Sequence, residues 1–138
     1  MKRYMYFLVP FCKWVANYTA MWAVFTYLIP VPIGRYYEMA LGWVASGLIA
    51  APFAYWAFHK QIPTNKQLGI FLGSWVVVTF LMETVIAYIG YHYPLRMLFR
   101  YELLVQIGIE IAVVLVMERV LRRQHAYHMA AEGIELHN

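Results

Sequence analysis

Three polar residues, Glu102, Gln106 and Glu110, recur at every fourth position through an otherwise apolar run, Tyr101 to Arg123. A step of four residues advances an α-helix by about 40°, so the three form one slowly winding stripe. The rest of the run is mostly Leu, Ile, Val and Ala, and it is long enough to cross a bilayer. An ionisable group at that depth costs on the order of 2.5–3.5 kcal/mol even on insertion scales, so it faces protein or water. The stripe therefore requires partners. Glu83 lies deep in a second apolar run, and Lys13 and Asn17 interrupt a third. Lys13, Asn17, Glu83, Gln106 and Glu110 together make the expected intramembrane polar layer.

Such a layer supports three kinds of chemistry. A Lys13–Glu110 ion pair, with Glu83 protonated or hydrogen-bonded to Gln106 or Thr79, sets helix register without doing chemistry. Glu83 and Glu110 as a proton or cation site belong to a small transporter or channel. Acids that meet a charge on another subunit belong to an accessory or assembly component.

Other constellations are weak. Haem held between helices needs histidines inside them, and His92, His125, His128 and His137 fall outside the apolar runs. His125 and His128 stand at i,i+3, but two ligands without nearby Cys or Asp do not make a metal site. Ser46, Ser74 and Cys12 have no companion histidine at membrane depth, so no nucleophilic set is visible. The single Cys12 excludes an internal disulfide. No phosphate loop or dinucleotide fingerprint occurs. The expectation is a non-enzymatic protein with no cofactor and no metal.

The elements that position the layer follow from composition. Of 138 residues, 63% are hydrophobic and only 13% charged, about half the charge of a soluble domain; mean hydropathy is +0.56. Lipid can take the place of the core that so apolar a chain would otherwise need. The net charge of +4 does not point to nucleic acid, because the basic residues sit at segment ends, where they set topology.

Four runs predict four transmembrane helices, over about 6–29, 37–58, 67–91 and 97–120. The first has an ambiguous start. Either it begins near Tyr6 with Lys13 inside the membrane, or Tyr4–Cys12 lies at the interface and the crossing starts at Trp14. Met1-Lys2-Arg3 resembles the start of a signal peptide, but no small-x-small cleavage site follows, so an uncleaved span is expected. Turns are expected at Pro30–Gly34 and Tyr91–Arg96, and a polar connection at His59–Lys66. Pro52 is expected to kink the second helix. A short polar tail, 122–138, is read as a soluble helix broken at Gly133.

Lys2, Arg3, Lys60, Lys66, Arg119, Arg122 and Arg123 fall on one side of these spans, and Arg35, Arg96 and Arg100 on the other. Both termini are thus expected in the cytoplasm. Small residues repeat every fourth position in the second run (Gly42, Ser46, Ala50, Ala54), and Gly69 and Gly73 in the third. Such faces let helices approach closely in lipid, so the small faces of helices two and three are expected to be the tightest contacts. Depth arithmetic from a close third–fourth hairpin puts Glu83 beside Gln106, about 12 and 13 Å down. It puts Lys13 and Asn17 opposite Glu110.

The expected whole is an all-α, single-domain, four-helix transmembrane bundle (1–138) with antiparallel neighbours, in the bacterial inner (plasma) membrane. Its expected partners are the lipid bilayer and other membrane subunits or copies of itself. Its expected role is an accessory or assembly subunit of a larger membrane complex. The alternative is a small oligomeric transporter or channel that uses Glu83 and Glu110.

Overall fold

The computed structural model describes residues 2–28, 34–90, 92 and 101–135. The described residues form an all-α bundle of four helices: α1 (Met5–Ala23), α2 (Arg35–Phe58), α3 (Asn65–Thr84) and α4 (Tyr101–Glu135). Two of them continue in wider, π-wound turns, α1 through Val24–Leu28 and α3 through Val85–Gly90. The expected turns at Pro30–Gly34 and Tyr91–Arg96, apart from Gly34 and His92, and the first residues of the fourth run lie outside the described residues.

Local chemistry accounts for the helix starts. The amides of Met5, Tyr6 and Phe7 donate to the carbonyls of Lys2, Arg3 and Tyr4, so α1 winds from the first described residues. It passes through Pro10 without a break. The helix itself begins near the earlier of the two expected positions, and Lys13 lies within it, fully buried in the bundle. Gly34 precedes α2 with φ of 100°, a conformation glycine adopts without strain from a side chain. Thr64 and Gln67 close a reciprocal capping box on α3, Gln67 N donating to Thr64 Oγ1 and Thr64 N to Gln67 Oε1. That box starts α3 two residues ahead of the expected position. α2 runs unbroken from Arg35 to Phe58 through Pro52.

The packing order is α3, α1, α2, α4 around the bundle axis. α2 packs most extensively on α4, α1 packs on both α2 and α3, and α3 touches α4 only slightly. The α2 and α3 backbones do not approach each other. Contacts at different levels give the directions. Val9, Phe58, Phe71 and Val114 share one apolar cluster. Further along, Trp14 meets Glu83, and Trp43 meets the Glu102 carbonyl. Residue numbers therefore rise from the cluster in α1 and α3 and fall in α2 and α4. The two best-matched pairs, α2/α4 and α1/α3, are parallel.

This corrects two expectations. Neighbours are not all antiparallel, and of the two small faces only that of α2 makes a close helix contact, whereas Gly69 and Gly73 of α3 do not. The connection 59–64 can span roughly 20 Å when extended. That is enough to cross the bundle's diagonal, roughly 11–14 Å for helices 8–10 Å apart. The small face of α2 does close on the interior, with Ser46, Ala50 and Ala54 fully buried. On the α4 side, a Cβ added at Gly47 would stand 3.2 Å from Ile109 Cγ2. Gly69 and Gly73 have nothing within 4 Å of an added Cβ, so no helix lies against that pair.

A mutational contrast follows. Gly69→Ala and Gly73→Ala should each be neutral or stabilise by about 0.5–1 kcal/mol, because alanine is the better helix former and meets nothing. Gly47→Ala should lose that gain by pushing Ile109 away. Unfolding midpoints in one detergent read the difference, and a loss at Gly69 or Gly73 equal to that at Gly47 would contradict this packing.

α4 also differs from expectation at its end. It does not stop near Val120 or break at Gly133 but continues to Glu135. Residues 122–129 are exposed all round, so its last turns project beyond the bundle. Two stretches, Tyr36–Phe58 and Asn65–Thr84, are long and apolar enough to cross a membrane. Only 33% and 22% of their most apolar windows are buried, whereas the core helix of a soluble fold hides most of its apolar surface.

Candidate functional site

The polar residues converge on one carboxylate. Glu110, fully buried on α4, receives a donor from each of the four helices. The Lys13 ammonium of α1 forms an ion pair with Oε1, and the Ser46 hydroxyl of α2 donates to the same oxygen. Trp75 of α3 donates its indole N–H to Oε2 at 2.7 Å. Gln106, one turn back on α4, donates to Oε1 at 3.1 Å. Lys13 also donates to Ser46 Oγ at 3.2 Å, and its Nζ lies 5.9 Å from the centre of the Trp75 ring.

Helical spacing places these groups. Lys13 and Asn17 share a face of α1 at i,i+4, as do Trp75, Thr79 and Glu83 on α3 and Gln106 and Glu110 on α4. Ser46 stands where the inner stripe of α2 passes the same level. An ionised carboxylate offers about four acceptor positions, two on each oxygen; three donors crowd Oε1 and one takes Oε2. A charge removed from water needs this degree of satisfaction to be tolerated.

A second, smaller pairing joins the middle of α1 to the C-terminal end of α3. Trp14 donates its indole N–H to Glu83 Oε1 at 3.0 Å. This departs from the expected Glu83–Gln106 and Glu83–Thr79 bonds. The depth arithmetic assumed that the third and fourth helices are close neighbours. They barely touch, so α1, not α4, supplies the partner. Thr79 Oγ1 and Asn17 Oδ1 are buried with no hydrogen-bond partner among the described residues. Asn17 lies one turn from Lys13 on α1 and is not among the donors to Glu110. Gly42 faces the Met21 side chain, and Trp43 caps the Glu102 carbonyl at 3.2 Å.

Two donors, Trp75 and Trp14, have no counterpart in the sequence-level layer. A tryptophan inside an apolar run reads as bulk or as an interfacial anchor. The available signal was the four-residue spacing of Trp75 from Thr79 and of Thr79 from Glu83. Ser46 was singled out for its size, yet its hydroxyl is also a bridge between Lys13 and Glu110.

Lys13 and Ser46 are residue types that elsewhere make a nucleophile–base pair. Here the ammonium is held by a carboxylate and has no lone pair to take a proton. The serine hydroxyl donates to that carboxylate, and all three groups are fully buried. The arrangement is an internal clamp closed to substrate.

At the other end of the bundle Glu118 accepts from Arg122 Nε at 2.7 Å, one helical turn on. Arg122 Nη2 also donates to the Pro63 carbonyl at 3.2 Å, tying α4 to the α2–α3 connection. His125 and His128 are exposed on the projecting part of α4. Among the described residues no three His, Cys or acidic side chains gather as metal ligands would. Compared with known proteins, the chain matches no family model, no curated protein and no solved structure.

Proposed function

We propose that this chain is a multi-pass integral membrane protein with a non-enzymatic role, an accessory or assembly subunit whose four helices all span the bilayer. The observation that carries the reading is the convergence on Glu110 of one donor from each of the four helices. A carboxylate so enclosed holds helices in register and leaves no group free for turnover. What remains for function is the outer surface.

That surface is apolar and broad. Val44, Leu48, Val77, Leu81, Leu104 and Val116 are all more than half exposed, a pattern that marks membrane or partner contact. Between α2 and α4 an open apolar groove of about 500 Å³ runs past Ala40, Gly47 and Ala51. Such a groove fits another transmembrane helix, since small residues permit close approach. The projecting end of α4 offers a second, polar handle. Orientation follows from charge: Lys2, Lys60 and Arg122 belong to the end where α1 starts and α2 finishes. By the positive-inside rule that end faces the cytoplasm, with both termini.

A second reading keeps transport, favoured by one observation. Asn17 Oδ1 and Thr79 Oγ1, unpartnered among the described residues, lie on the two helices joined by the Trp14–Glu83 bond, Asn17 one turn from Lys13 and Thr79 one turn from Glu83. Oxygen groups in that position suit a proton or a hard cation, moving between copies of this short chain.

Purification from the native host in gentle detergent, followed by mass spectrometry, tests the choice. Foreign membrane proteins in stoichiometric amount are expected. A pure homo-oligomer that also moves protons or sodium in liposomes would replace the subunit reading with the transporter. Topology is tested alongside: a single cysteine at Thr64 should be labelled only from the cytoplasmic side. Labelling only from outside would invert the orientation.

A further inference from the structure

A cavity of about 360 Å³ opens beside the N-terminal end of α1 and the C-terminal end of α2. Its volume lies within the range of small-molecule sites, and its lining is divided by chemistry. Lys2, His59 and Lys60 provide the polar side, while Met5, Leu8 and Ala57 provide an apolar wall. Tyr4 and Trp56, both more than 40% exposed, stand with them.

His59 is oriented by the helix it terminates. Its Nδ1 lies 2.9 Å from the Trp56 carbonyl and 3.2 Å from the Tyr55 carbonyl, so Nδ1 carries a proton and donates to the end of α2. The ring also stacks on Tyr55 with centroids 5.3 Å apart. Nε2 is thereby the ring nitrogen left for a ligand. No acidic side chain lines the cavity to neutralise the two lysines. The cavity therefore combines uncompensated positive charge, amphipathic aromatics and an apolar wall that leads onto the exposed Phe7 and Leu8.

We propose that this cavity is a binding site for an anionic phospholipid. Lys2 and Lys60 take the phosphate. Tyr4 and Trp56 lie at the level of the glycerol, and Met5, Leu8 and Ala57 receive the first part of an acyl chain. The occupant is a lipid because the apolar wall has no use for a free phosphate. The inference rests on the membrane reading given above, since it sets the cavity at the cytoplasmic headgroup level, where anionic lipid is attracted to basic groups.

The test is native mass spectrometry of the full chain in detergent with equimolar phosphatidylglycerol and phosphatidylcholine of identical acyl chains. Each lysine contributes about fivefold, so the wild type should retain phosphatidylglycerol about twenty-five-fold in preference. Lys2→Ala/Lys60→Ala should fall to near parity with its helical circular dichroism unchanged. Equal retention of the two lipids by the wild type overturns the proposal, as does an unchanged preference in the double variant. Competition by glycerol phosphate at the concentration of the lipid would assign the cavity to a soluble phosphate and overturn the lipid. Alkaline carbonate extraction separates the two readings. A chain that stays with membranes but shows no lipid preference removes only the cavity proposal, whereas a chain that extracts freely removes both.

Discussion

Lys13→Met should destabilise the bundle by on the order of 3–5 kcal/mol, because it leaves the Glu110 carboxylate buried without its counter-charge. The three remaining donors, Ser46, Trp75 and Gln106, are neutral. They satisfy geometry but do not replace a cation. Glu110→Gln alone should also cost stability, since Lys13 then lies enclosed beside a neutral amide. The double variant Lys13→Met/Glu110→Gln should recover part of the summed loss, as both charges leave together and the indole of Trp75 keeps an acceptor. Unfolding in mixed micelles of increasing sodium dodecyl sulfate, followed by circular dichroism, reads all four corners of the cycle. Two mild and additive single losses would mean that the ion pair contributes nothing to the fold.

The second large effect belongs to the apolar cluster on the other diagonal of the bundle. Phe58 and Phe71 are fully buried and meet edge to face, ring centres 5.1 Å apart, and Phe71 meets Trp75 in the same way at 5.5 Å. This stack links α2 to α3 where their backbones stay apart. Phe58→Ala should cost about 3–5 kcal/mol, the range for deleting an enclosed aromatic ring. Lipid cannot enter so closed a site, so the cavity penalty persists even where water is absent. Phe58→Ala combined with Phe71→Ala should be less than additive by about 0.5–1.5 kcal/mol, the usual coupling of an aromatic pair. The same unfolding assay measures it. Strict additivity would show that the two rings do not depend on each other.

The two diagonals explain why the polar centre tolerates its charges. One joins α1 to α4 through Lys13 and Glu110, and the other joins α2 to α3 through Phe58 and Phe71. Each ties a pair of helices with little backbone contact. Loss of either should therefore loosen the bundle more than loss of a contact within the already close α2/α4 pair.

Some of this was determined by the sequence alone. Runs of apolar residues with almost no interior charge dictate helices, because backbone groups in such segments must satisfy each other. Spacing by four dictates that Gln106 and Glu110 share a face, and that Ser46, Ala50 and Ala54 share another. Those are statements about one helix and its own axis. Tertiary structure decided which helix each face meets, since spacing fixes an angle about an axis and says nothing of the neighbour. Hence Glu83 bonds to Trp14 rather than Gln106, and the small face of α2 turns to the centre and to α4 rather than to α3. Gly69 and Gly73 make the same point: paired glycines permit a close approach, but only a partner helix placed there would use it. The indole donors Trp14 and Trp75 stayed hidden for a related reason. A tryptophan's single N–H becomes a polar feature only when folding brings an acceptor to it, and in an apolar run the ring dominates what the residue signals.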